Sequence, residues 1–174
     1  MIADFVLLKE ALFPFNASLM SVERTLLAAQ GYMELDMPDE ALRELNSLPA
    51  EAQAGEDALQ MRLFLHMRAK EWLPSLAVCE QLRHTSPDCS SGYIHGAFCL
   101  HELGRTSEAK ELLLQAPALL QEEPTFHYNL GCYNAILGNI EDAQRHLSKS
   151  FQMDKKFREI AMVDPDLQSI RSLL

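Results

Sequence analysis

Ala41, Ser75, Ala109 and Ala143 follow one another at intervals of 34 residues. No other feature of the chain constrains its fold as tightly. The interval recurs at other positions. Asp36, Lys70, Gly104 and Gly138 fall where a loop would sit. Glu40, Pro74, Glu108 and Asp142 each precede the small residue, and Leu45, Cys79, Leu113 and Leu147 each follow it by four. A repeat of this length is one supersecondary unit that cannot bury its apolar face alone and must stack on its neighbours.

The apolar pattern is helical almost throughout. Segments 103–114 and 126–137 carry apolar residues at steps of three and four. No stretch alternates in the manner of a strand, and β-branched residues are sparse. Pro49, Pro87, Pro117 and Pro124 fall between helices. Pro38 suits a first helical turn, and Thr106 and Asn139 suit N-caps, with acidic residues after each. Each unit therefore reads as helix A of about 13 residues, a tight turn, and helix B. The small residue on helix B lets it approach helix A closely. The facing position on helix A is small as well at Ala29, Ala97 and Gly131, with Leu63 the exception.

Tyr128-Asn129-Leu130-Gly131, then Gly138, then Glu141-Asp142-Ala143 resemble the tetratricopeptide repeat (TPR) family. Tyr93, Ala97, Gly104 and Ser107-Glu108-Ala109 repeat the theme one unit earlier. The resemblance implies an all-α, right-handed superhelical solenoid of antiparallel helix pairs. It divides the chain into repeats at 22–55, 56–89, 90–123 and 124–157. The second is off-pattern at Leu63, Lys70 and Ser75. Residues 1–20 are expected to form an N-terminal capping helix, amphipathic through Ile2, Phe5, Leu8, Leu12 and Phe13 and ended by Pro14. A dimer contact or a plug in the groove is the alternative use of that segment. Residues 158–174 are expected to form a C-terminal cap, in which Asp164-Pro165-Asp166-Leu167 reads as N-cap and first turn.

Composition narrows the function. The 174 residues carry 15 basic and 25 acidic side chains, a net charge of -10. Phosphate binding rests on clustered Lys and Arg, so a nucleic-acid partner is not expected, nor docking on anionic lipid. The run Phe5–Leu8 is too short to span a membrane and lacks the basic lead of a signal peptide. Cys79, Cys89, Cys99 and Cys132 form no C-x-x-C pair, which fits free thiols in a reducing compartment. The expected location is the cytoplasm.

In the family, groove residues fall at fixed offsets on helix A. Here those offsets carry Leu26, Gln30 and Met33; Gln60, Phe64 and Met67; Ile94, Phe98 and His101; and Tyr128 and Cys132. The resemblance makes them a concave, largely apolar site facing either a ligand or another part of the chain. Such a groove suits an amphipathic helix or an extended apolar peptide. The carboxylate clamp of some TPR co-chaperones needs Lys, Arg and Asn where this chain has Leu26, Gln30, Gln60, Phe64, Ile94 and Phe98, so that mode is rejected. The expected function is a protein-interaction module, an adaptor or scaffold. The alternatives are a small acidic secretion-type chaperone shielding apolar client segments, and a self-associating structural module, including a homodimer through residues 1–20.

No enzyme, cofactor or metal is expected. His95 and Cys99 are four apart, with His101 near, but metal sites want three or four convergent ligands. A Cys99–His95 nucleophile pair lacks a third group and an oxyanion hole. There is no Gly-rich phosphate loop, and Glu102, Glu122 and Glu123 read as solvated surface.

Overall fold

The computed structural model describes residues 21–174. The expected helix of residues 1–20, and the dimer contact assigned to it, lie outside the described residues. The protein is all-α, with no strand among the described residues. It divides into two compact units, Met1–Arg68 and Ala69–Leu174. The division falls within the segment read as the second repeat, between its helix A and its helix B.

The first unit contains α1 (residues 21–34), α2 (Pro38–Ser47), a short α3 (Ala50–Gln53) and α4 (Glu56–Arg68). Pro38, Asp39 and Glu40 open α2, where a missing N–H costs nothing and negative charge meets the positive end of the helix. Ala29 and Ala41 are both fully buried, in one core with Leu45, Leu48, Ala58 and Leu65. The last carbonyls of a helix lack intrahelical partners. At the end of α2, side chains supply them. Arg62 donates to the Leu45 carbonyl at 3.0 Å, and Gln53 donates to the carbonyls of Asn46 and Leu48 at 3.1 and 2.8 Å. Those bonds tie α3 and α4 to α2.

The second unit contains α5 (Trp72–Thr85), α6 (Ser90–Glu102), α7 (Thr106–Leu114), a 3-10 turn (Ala118–Glu122), α8 (Pro124–Ile136), α9 (Ile140–Met153) and α10 (Lys156–Ala161). Two further 3-10 turns, Pro165–Leu167 and Arg171–Leu173, complete it. Ser75, Ala109 and Ala143 are fully buried, as are Cys79, Leu113 and Leu147 four residues on. Of the expected N-caps, Asn139 holds that place before α9 but its amide donates to Asn134, while Thr106 lies inside α7 and bonds His101.

All four loop positions of the 34-residue register have left-handed backbones: Asp36 at φ 58, Lys70 at 56, Gly104 at 75 and Gly138 at 78. At the two glycines this conformation carries no Cβ penalty.

Candidate functional site

Asp164-Pro165-Asp166-Leu167 forms an N-cap and turn, with Asp164 Oδ1 accepting from the Asp166 N–H at 2.9 Å. The same segment reaches side chains that the TPR resemblance assigns to a groove. Asp164 Oδ2 accepts from the Tyr128 hydroxyl at 2.6 Å and from the Cys132 thiol at 3.7 Å. Asp166 Oδ2 lies 3.0 Å from His101 Nε2, and His101 Nδ1 lies 2.9 Å from Thr106 Oγ1. Arg171 donates to the Asp164 carbonyl at 2.7 Å. Burial, then Asp164, pushes the Tyr128 phenol up from its ordinary value. Burial, then Asp164 and Asp166, does the same to the Cys132 thiol. Both groups therefore stay protonated, as donors to Asp164 must.

Around this knot the apolar side chains join one core. Ala161, Leu167 and Ile170 are buried with Ile94, Tyr128 and Cys132, and the Phe157 ring lies 5.0 Å from that of Tyr128. In the second unit, then, His101, Tyr128 and Cys132 meet the Asp164–Asp166 turn, and Ile94 is buried in the core. Phe98 stays half-exposed, its ring edge-on to Trp72 at 5.7 Å.

The first unit differs. A cleft of about 450 Å³ runs between α1 and α4, lined by Glu23, Leu26, Leu27, Gln30, Asp57, Gln60 and Met61. Leu26 is half-buried and packs partly on the core, as does Met33. The neighbouring Leu27 is 68% exposed, a placement the register did not anticipate. Phe64, one turn beyond Gln60, is 47% exposed, with the Arg68 guanidinium 5.6 Å above its ring. Gln30 and Gln60 are exposed and donate to Glu34 and Glu56, and Met67 is half-buried.

Ligand atoms of Cys132, Asp164 and Asp166 lie within 4.8 Å of one another, and these belong to the hydrogen-bonded knot just described. Sequence reading weighed His95, Cys99 and His101 instead. Cys99 is hydrogen-bonded with Cys79 and Ser75, whereas His101 meets the C-terminal segment. His95 is half-buried, and that burial lowers its pKa. The repeat register gives no sign of a histidine pair: His127 Nδ1 and His146 Nδ1 are 3.0 Å apart, with the rings stacked at 5.3 Å. Nothing in the repeat pattern marks a position 19 residues on as its partner.

Antiparallel helix pairs with fully buried small residues at their seams define a TPR-like helical-repeat fold. Solved structures of MamA share it. MamA 41-end from Desulfovibrio magneticus RS-1 is 16% identical, covering 80% of this chain and 81% of that one, with a TM-score of 0.69. A MamA AMB-1 structure is 19% identical over 82% and 79% of the two chains, with a TM-score of 0.66. A third, from MamA MSR-1, is 18% identical over 78% of each, at 0.65. At these identities the likeness is one of fold. No protein-family model matches the sequence, and no curated protein does.

Proposed function

We propose that this chain is a protein-interaction module, an adaptor or scaffold that holds a peptide or amphipathic helix of another protein. The observation that carries this reading is a contrast between register-equivalent faces. In the second unit Tyr128 and Cys132 on α8 and His101 on α6 are bonded to the Asp164–Asp166 turn. In the first unit Leu27 and Phe64 remain exposed beside Leu26 and a cleft. Exposed apolar side chains beside a cleft suit an interaction site. A partner would bury apolar side chains against Leu26, Leu27, Phe64 and Met67, and Gln30 and Gln60 would orient it through their amides. Phe98 is the counterpart in the second unit. The chaperone-type alternative uses the same contact, with the apolar segment of an exported client as occupant.

A random peptide library displayed on phage and selected against the full chain tests the reading. Selected peptides are expected to lose at least about fivefold in affinity on Leu27→Asp and on Phe64→Asp by fluorescence anisotropy. Both substitutions are at exposed positions, so far-UV circular dichroism is expected to be unchanged. A library that yields no binder, or peptides indifferent to both changes, would sink it.

A further inference from the structure

The charge around the α1–α4 cleft identifies the chemistry of its occupant. Resting on the reading above, we propose that the cleft takes a basic amphipathic helix, whose apolar stripe lies on Leu26, Leu27 and Phe64 and whose Lys or Arg side chains reach Glu23 and Asp57.

The lining holds two carboxylates and no cation. Glu23 and Asp57 are exposed and face the cleft from opposite helices, Glu23 from α1 and Asp57 from the first turn of α4. Among the described residues neither has an ion-pair partner, whereas three of the unit's four arginines are engaged elsewhere. Residues 21–68 contain four arginines and no lysine, against nine carboxylates. Arg43 pairs with Glu40 at 2.6 Å and Arg68 with Asp36 at 2.8 Å. Arg62 is spent on Asn46, Leu45 and Gln53. Arg24, on α1, does not line the cleft. The two glutamines between the carboxylates are neutral, so nothing in the lining offsets the acidic field.

An acidic ligand would bring like charges together as its apolar side chains approached, and a neutral one would leave both carboxylates partly dehydrated without compensation. A basic ligand resolves both costs. Asp57 also stabilises the N-terminus of α4 as a first-turn acid, but that role is met by the adjacent Glu56 as well. The length fits too: α4 has 13 residues, about 20 Å at 1.5 Å per residue, so a helix of three to four turns lies along it. Residues 1–20 are a poor match, since they carry Lys9 alone against Asp4 and Glu10.

The test uses the full chain and two labelled peptides with the same leucine stripe, one with lysines and one with glutamates on the polar face. By fluorescence anisotropy the lysine peptide is expected to bind at least about tenfold more tightly. That advantage should shrink as salt rises toward a Debye length of a few Å. Glu23→Lys and Asp57→Asn are each expected to weaken the lysine peptide by about threefold, and Glu80→Lys, an exposed reversal on α5, to leave it unchanged. Circular dichroism and thermal melts establish that the variants are folded. If both peptides bind equally and Phe64→Asp weakens both, the charge inference fails and the interaction reading stands. If Glu80→Lys costs as much as Glu23→Lys, the preference is only the net charge of the chain, and the inference is again overturned. If neither peptide binds, both the inference and the reading beneath it fall.

Discussion

Gly131 shows how little room the helix seams leave. A Cβ built there would lie 2.6 Å from Leu147 Cγ and 2.7 Å from Leu147 Cδ2, and Leu147 is itself fully buried. Gly131→Ala gains helix propensity but forces α8 away from α9, and overpacking of this kind costs about 1–3 kcal/mol. Urea denaturation should therefore show a lower midpoint, and a midpoint equal to or above that of the parent would contradict the seam geometry. Positions like this one are legible in a sequence, because the interval of 34 makes the same contact recur, with small residues at Ala29, Ala97 and Gly131 and Leu63 the exception. Leu26 and Leu27 are the opposite case. Adjacent leucines on a helix point about 100° apart. With no chemical difference between them, the pattern cannot decide which one packs inward. The fold puts Leu26 against the core and leaves Leu27 in solvent.

Among the elements, the segment after α9 has the most effect on neighbouring faces. Asp164 is its anchor, accepting from Tyr128, Cys132 and its own turn through two carboxylate oxygens. Asp164→Ala removes all three bonds and leaves two buried donors without an acceptor, at a cost of about 2–3 kcal/mol. Hydrogen exchange should accelerate first in residues 160–174. Unchanged protection there would mean that Leu167 and Ile170 hold the segment without the knot. The Asp-Pro-Asp turn itself was readable from residue types with fixed local preferences. Its destination was not. Tyr128 meets Asp164 across 36 residues, outside the repeat interval, so periodicity carries no information about the pairing. Tyr128 and Cys132 thus read as open apolar positions in the sequence, although Asp164 bonds both.

At the scale of the whole molecule, acidity and histidine burial set how the protein responds to pH. His127 Nε2 donates to the Gln121 carbonyl at 3.1 Å, so its Nδ1 accepts from His146 Nδ1–H, and the pair is stable only when both rings are neutral. Burial, then His127, pulls the pKa of His146 from 6.5 down to about 4. The folded state therefore resists a proton that the unfolded chain accepts below 6.5. Stability is full above that value, falls between about pH 6.5 and 4, and levels off below. Because His146 is half-exposed, solvent screening trims the loss to about 1–2 kcal/mol. His146→Gln should flatten this limb. Trp72, the single tryptophan, sits in the second unit, so its fluorescence during denaturation at several pH values reads the effect there. An equally steep limb in the variant would assign the acid sensitivity to other groups.

The placement of residues 156–174 also bears on copy number. Repeat arrays lengthen by adding a unit at an end, where the last helix offers a free flank to the next. Here α10 packs on α9 and the following turn packs on α8. A further helix pair appended after Met153 would have to evict this segment, exposing Leu167 and Ile170 and stripping Tyr128, Cys132 and His101 of their partners at once. Inserting a helix pair after Met153 would therefore cost this unit the packing of that segment on α8 and α9.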